Sequence, residues 1–477
     1  MVNRRTIPEL APAFGKEEIM YLIKALLLIA AIYVFRDFIY VYWKIFAFLT
    51  PFFFIIFSWF KAIQSGDRFG AVLREQITLM PIPYAEGGRK TVIPRATIAL
   101  VLVNVAIYYG TRLLPPEQIR AIEDNYMFMP LARTGWHLLV SPLTSMFMHG
   151  GAGHLWGNMA ALWAFGPAVE ERVGSKKFIF LYILTGILGS LTFVIVGRLF
   201  FSSTLHGLGA SGAIGGIMGV FMVRCYFKKL VIPIPVFGLI NFKLRVNSLL
   251  PLGLFFLMDL RGGFRQLTGT ISHTGYWAHI GSMVAGMSIA AHLNLHRDAA
   301  GESFTEAGIK AIEHRVYGES GEKQLLKAMA INPQNEAALL GLARIKAVSR
   351  RPEGREYFQE AINLALRSDP QRAAEIYAEY FQVYNRMLEP GLQYRLARIF
   401  HSQGNFEGAA RSLEMIIVEP TTAGTIREQA FVQLITILAE KGLGEAAQFR
   451  CRQFGEAFPQ STLLKRARQI SGLEPLP

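Results

Sequence analysis

Before about residue 296 this chain is a succession of apolar runs separated by short basic connections, and that pattern leaves few folds open. Six of the runs lie at about 96–113, 148–169, 177–200, 208–227, 246–260 and 275–295. Lipid offers no water to satisfy a free backbone N–H or C=O, so these runs are expected as helices that close their own hydrogen bonds. Several are shorter than the roughly 20 residues of a perpendicular span. Short spans are expected where a bundle thins the bilayer locally. Two earlier stretches, 21–42 (interrupted by Arg36 and Asp37) and 45–60, add one or two further membrane segments. A mean hydropathy of +0.30 agrees, because a soluble enzyme of this length needs a more polar coat.

The basic residues give an orientation. Arg172, Lys176 and Lys177 follow the second of the six runs, Lys228, Lys229, Lys243 and Arg245 the fourth, and His296 and Arg297 the sixth. By the positive-inside rule these connections are cytoplasmic, as is the basic stretch ending at Arg95, and both ends of the six-helix unit lie inside. Segment 114–147 is then on the outer side. The net charge of +14 is thus read as topology, without a nucleic-acid motif and without a nucleic-acid partner. Two cysteines, Cys225 and Cys451, make neither a disulfide framework nor a metal cluster. The first residues lack the form of a removable signal peptide.

After about residue 301 the pattern changes to amphipathic helices. Leu392 to Phe400, a turn at Gln403-Gly404-Asn405, then Ala409, Ala410 and Leu413 before Pro420, follow the helix–turn–helix–proline layout of tetratricopeptide repeats. Weaker echoes end at Pro333, Pro370 and Pro459. The expected organisation is 1–95 for membrane-associated segments and basic connector, and 96–296 for a six-helix core. A linker follows over 297–320, and 321–475 holds tetratricopeptide-like repeats that recruit a cytoplasmic protein partner. The fold class is all-α, a polytopic membrane bundle followed by a soluble helical repeat domain.

Three features inside the six-helix unit carry chemistry. The fourth helix opens on Gly209-Ala210-Ser211-Gly212, the sixth on Ala278-His279, and the second on His149 and His154 with Asn158 one turn later. Counting about 1.5 Å per residue from each cytoplasmic end, Ser211 lies ~25 Å up, His279 ~27 Å and His154 ~24 Å. All three therefore lie at similar depth below the outer surface. Gly212 and Gly216, Gly215 and Gly219, and Ser282 and Gly286 form small-xxx-small faces that let helices approach closely. A serine hydroxyl and an imidazole at one depth can then meet at hydrogen-bond distance as nucleophile and base, while Ser211 among glycines, taken alone, reads equally as a helix-packing residue. His154 and Asn158 share one helix face and both can donate to an oxyanion, together with the N–H of Ser211.

These residues resemble the rhomboid intramembrane serine proteases, whose marks are GxSG, a histidine in an AHxxG helix and HxxxxHxxxN. Here they stand as Gly209 to Gly212, Ala278-His279, and His149, His154 and Asn158, with Glu171-Arg172 and Gly174 fitting the turn after the second helix. The resemblance covers about residues 96–296. It implies an intramembrane serine endopeptidase with a Ser211–His279 dyad lacking an aspartate, and His154 and Asn158 at the oxyanion hole. His149 then has a structural or water-handling role. It also implies no cofactor or metal, transmembrane protein substrates entering laterally from lipid, and water reaching the site from outside.

The chain departs from the family pattern in three places. Trp136 is followed by His137 rather than arginine, Ser282 replaces a common glycine, and position 215 is glycine where some members carry an aromatic ring against the catalytic histidine. Tyr276 or Trp277 is expected to support the ring of His279 instead. Asp259 is read as a lone carboxylate near the outer end of the fifth helix, without an aspartyl partner, and no H-E-x-x-H offers a zinc site. The competing reading is a catalytically silent scaffold that binds transmembrane clients.

Overall fold

The computed structural model describes residues 55–56, 58–64, 66, 68–78, 80, 82–86, 93–128, 135–200, 207, 209–237, 240–270, 272, 274–313, 319–348 and 351–473. The expected segment at 21–42 and most of that at 45–60 lie outside them. The chain divides into two compact units, 1–299 and 300–477.

The first unit is a helix bundle. After α1 (Phe69–Gln76) come α2 (Arg95–Arg112), α3 (Pro116–Tyr126), α4 (Trp136–Thr144), α5 (Ala152–Val173), α6 (Ser175–Phe200), α7 (Ser211–Arg224), α8 (Leu249–Leu267) and α9 (Tyr276–His292). Helices α2, α5, α6, α7, α8 and α9 occupy the six apolar runs. Among the described residues α6 is the one helix both long and apolar enough to cross a membrane by length and composition, with mean hydropathy 2.4; α7 is apolar but shorter.

Helix α7 is the centre of the unit. Every residue from Ala213 to Phe221 is buried, so it has no polar face to offer and must be enclosed on all sides. Glycines set how tightly. A Cβ at Gly216 would collide with the Thr185 side chain of α6, and one at Gly219 with the Met283 carbonyl of α9. One at Gly286 would strike the Gly216 carbonyl. The outer face of α6 carries exposed Phe180, Ile187, Leu191, Ile195 and Leu199, an apolar stripe suited to lipid.

A buried carboxylate ties the ends of three helices together. Glu170, near the end of α5, accepts from the N–H groups of Ala96 and Thr97 at 2.8 Å, the Thr97 hydroxyl at 2.7 Å and the Ser175 hydroxyl at 2.6 Å. Those two N–H groups are among the orphan donors of the first turn of α2, which has no cap of its own.

The basic connections contain a sheet that an all-α reading does not include. Strands β1 (Ile77–Thr78), β2 (Tyr84–Ala85), β3 (Lys229–Phe237) and β4 (Ile240–Asn247) pair antiparallel in the order β1-β4-β3-β2. The long hairpin β3–β4 follows from its composition, because Leu230, Val231, Ile232, Leu244 and Val246 are residues that fit a pleated surface. Arg245 on β4 joins the sheet to the connector, bonding the Glu86 carboxylate at 2.7 Å, the Gln76 side chain at 3.1 Å and the Glu75 carbonyl at 3.1 Å. The hairpin also delays α8, which starts at Leu249 and runs to Leu267 rather than over 246–260. Asp259 is therefore in the middle of its helix, not near its end.

Much of the stretch expected as a linker is helical: α10 covers Leu295–Glu313 and α11 Glu319–Ile331. The second unit continues with α12 (Glu336–Val348), α13 (Pro352–Ser368), α14 (Pro370–Tyr384), α15 (Pro390–Ser402), α16 (Phe406–Val418), α17 (Gly424–Glu440), α18 (Gly444–Ala457) and α19 (Leu464–Ser471). The α15–α16 pair shows how the chain turns. Gly404 takes φ +76 and the Asn405 side chain accepts from the Gly408 N–H, capping α16. The pair then buries Leu392, Leu396, Ala397 and Phe400 against Ala409, Leu413 and Ile416.

Candidate active site

Ser211 is the first residue of α7, and the turn before it is held on both sides. Gly207 exchanges two backbone hydrogen bonds with Phe128, at 2.8 and 3.1 Å, and the Gly209 N–H donates to the Ser145 carbonyl at 2.9 Å. Gly209 adopts φ +118, a region that favours glycine. Its missing side chain also makes room for His154, because a Cβ there would lie 2.7 Å from both Cε1 and Nε2 of that ring. Gly212, on the other side of the serine, has open space around its Cβ position and lines the cavity described below.

His279 is the fourth residue of α9. Its Nε2 lies 2.8 Å from the Ser211 Oγ although 68 positions separate the two in sequence. The close α7–α9 approach at Gly219 and Gly286 produces this distance. Gly215 contributes as well, because a Cβ there would be 2.7 Å from the Ser282 Oγ and 3.3 Å from the His279 carbonyl. An aromatic side chain at 215 would have no room.

The support of the imidazole comes from α8, and not from Tyr276 or Trp277. Those two rings lie against Gly262 and Gly263 of α8 instead, filling the space the glycines leave. Phe255 stacks on His279 with ring centroids 6.0 Å apart and an interplanar angle of 28°. Asp259 places Oδ2 3.0 Å from His279 Nδ1, with only 8% of its side chain exposed. Phe255 and Asp259 stand at i and i+4, so one face of α8 delivers both. The carboxylate has a histidine partner where none was expected. The available signal was an ionisable group inside an apolar run, which is costly there and so usually functional.

His154 and Asn158 rise from the first two turns of α5 beside the serine turn. The Asn158 Nδ2 lies 3.0 Å from the His149 Nε2 and would be 3.5 Å from a Cβ on Gly209. The rings of His149 and His154 meet edge to face at 5.2 Å. The structure thus gathers Ser211, His279, His154, Asn158, His149 and Gly209 at one place. The first N–H groups of α7 are free of intrahelical partners by geometry and, with the helix dipole, favour negative charge beside Ser211. Ser211, His154 and His279 open on a cavity of about 550 Å³, whose wall also includes Met146, Phe193 and, from α3, Glu123. Among the described residues no group of three or more His, Cys, Asp or Glu side chains is arranged to hold a metal ion.

Residues 136–295 match the family model for the rhomboid domain. The chain is 29% identical over 170 residues to rhomboid protease GluP of Bacillus subtilis, which covers 36% of this chain and 28% of that protein. It is 31% identical over 179 residues to the mitochondrial rhomboid protein 1 of Saccharomyces cerevisiae, covering 36% and 49%. To rhomboid protease AarA of Providencia stuartii it is 31% identical over 157 residues, covering 29% and 53%. The chain therefore spans from about a quarter to about half the length of these three relatives.

Proposed function

Because this chain is a rhomboid family protein and integral to a membrane, we propose that it is an intramembrane serine endopeptidase that cuts transmembrane protein substrates. The observation that carries the reading is the 2.8 Å distance between Ser211 Oγ and His279 Nε2, two residues that line a cavity of the helix bundle. Ser211 attacks the scissile carbonyl carbon while His279 Nε2 accepts the hydroxyl proton. The carbonyl oxygen becomes an oxyanion beside the N-terminus of α7, where the Ser211 N–H, His154 and Asn158 donate to it. As the tetrahedral centre collapses, the C–N bond breaks and His279 returns its proton to the leaving amine. Water then hydrolyses the acyl-serine by the same route. His149 holds the Asn158 amide in place.

In this reading the chain is multi-pass. The basic connections and the β-sheet they form lie on the cytoplasmic side, the site opens toward the outside, and the second unit is cytoplasmic. Lipid surrounds α6 and substrates enter from it. The helical pairs of residues 321–475 act as tetratricopeptide-like repeats that dock a protein partner and take no part in the chemistry.

A fluorophosphonate probe tests the reading directly, since it reacts at an activated serine. Purified chain in detergent is expected to label, and Ser211→Ala and His279→Ala to fall to background. Equal labelling of wild type and Ser211→Ala ends the protease reading and leaves a membrane scaffold for transmembrane clients.

A further inference from the structure

The imidazole of His279 faces two partners with its two ring nitrogens. Nε2 points at the Ser211 hydroxyl at 2.8 Å and Nδ1 at the Asp259 carboxylate at 3.0 Å. A base that must accept a proton at Nε2 has to carry its hydrogen on Nδ1. An ionised carboxylate at Nδ1 selects that tautomer, because it can only accept. The same contact fixes the ring plane, which Phe255 stacks against from the same face of α8. Both side chains are largely enclosed, 11% exposed for His279 and 8% for Asp259, so little water competes for the contact.

We propose that Asp259 is a positioning residue that sets the tautomer and orientation of His279, so that the chain works with a Ser211–His279–Asp259 triad instead of the dyad its resemblance implies. The inference rests on the protease reading above. During attack the Ser211 proton passes to Nε2 and the Nδ1 hydrogen stays where it is. Asp259 remains ionised throughout and stabilises the imidazolium that forms across the ring. When Nε2 gives its proton to the leaving amine, the neutral Nδ1–H tautomer is restored and the cycle closes without a net change at Asp259.

The contact also makes α8 part of the catalytic apparatus. Asp259, Phe255 and the two glycines that seat Tyr276 and Trp277 all belong to the α8–α9 interface. A displacement of α8 along α9 by one turn, about 5.4 Å, would withdraw both supports of the imidazole together.

The test uses the full chain in detergent with an alkyl fluorophosphonate, comparing wild type with Asp259→Asn, Asp259→Ala and Asp259→Glu. The asparagine variant has the same shape but can present an N–H to Nδ1, which forces the hydrogen to Nε2. Its maximal labelling rate, kinact, is expected to fall at least about tenfold and by as much as roughly 10⁴-fold. The half-saturating probe concentration should stay within about twofold, because Asp259 does not line the cavity. Asp259→Glu should recover part of the rate. In parallel, the proton NMR spectrum of ¹⁵N-histidine-labelled chain should show a downfield Nδ1–H resonance from His279 in wild type and in Ser211→Ala. It should be lost in Asp259→Ala. Wild-type kinact in Asp259→Asn and Asp259→Ala, or no such resonance in the wild-type chain, overturns the proposal, and the resonance needs no substituted chain to fold. A rate loss in Asp259→Ala that leaves the resonance in place also overturns it, since that marks a merely structural role. Equal labelling of wild type and Ser211→Ala sinks the protease reading instead, and the resonance still reports the Asp259–His279 contact separately.

Discussion

The backbone of Gly209 lies against the ring of His154: a single methyl group on that Cα would come within 2.7 Å of both Cε1 and Nε2. The glycine two residues before the proposed nucleophile and the proposed oxyanion donor on α5 are therefore one packing unit. Because φ at 209 is also +118, alanine there is strained twice over, by its own backbone and by its neighbour. Gly209→Ala is expected to displace His154 and slow the fluorophosphonate reaction by roughly 10²-fold or more, the scale of one lost oxyanion donor. Labelling of Gly209→Ala at the wild-type rate would show that His154 does not need this contact.

His154, Asn158 and His149 should show graded effects. Loss of a direct donor, in His154→Ala or Asn158→Ala, is expected to lower kcat on a transmembrane peptide by about 10²–10³-fold while KM changes little. His149→Ala removes the partner of the Asn158 amide and a ring packed on His154 but no direct donor, so its loss should be smaller than that of Asn158→Ala. A larger effect at His149 than at Asn158 would mean that His149 meets the reaction itself.

Glu170 illustrates a different kind of dependence. Its carboxylate satisfies two first-turn N–H groups of α2 and two hydroxyls, far along α5 from His154. Glu170→Ala leaves buried donors without partners and is expected to cost about 3 kcal/mol of stability, read as a lower unfolding midpoint in detergent. The labelling rate per folded molecule should be unchanged. If the rate falls while the midpoint holds, the role assigned to Glu170 is wrong.

The glycines should sort by what a side chain would meet. Gly219→Ala presses a methyl group onto the Met283 carbonyl, so it should destabilise by about 1–3 kcal/mol, push α9 from α7 and lengthen the Ser211–His279 contact. Gly253→Ala on α8 meets nothing within 4 Å and should be neutral or slightly stabilising. Thermal unfolding and labelling of the two variants side by side check this; equal behaviour would refute the close-packing account.

In the second unit, Asn405→Ala removes the side chain that caps α16 and should cost about 1 kcal/mol without touching the chemistry. A chain ending near Arg297 is expected to retain Ser211 labelling. Its complete loss in a truncated chain that still folds in detergent would make the second unit part of the enzyme.

Much of this arrangement is local information and is legible in the sequence. The apolar runs place the six core helices, because a helix in lipid closes its bonds within its own segment and needs no distant partner. The same runs, counted from their basic ends, put Ser211, His279 and His154 at one depth, and glycine spacing marks the faces that come close. Three things depend on tertiary structure. The hairpin at 229–247 joins strands as far away as residue 77, a pairing that only the folded connector defines. The helix that follows it shifts to 249–267, which moves Asp259 from a helix end to its middle. What holds the ring of His279 is settled by the rotation of α8 about its own axis. That rotation turns Phe255 and Asp259 toward the imidazole and leaves Gly262 and Gly263 to receive Tyr276 and Trp277. Helix α8 carries polar residues on its buried side, at Asp259 and Gln266, and on its exposed side, at Arg261 and Arg265, so no single polar face announces that angle. It is chosen by packing between helices, so residue types alone could name an aromatic support beside His279 but not the one that the fold supplies.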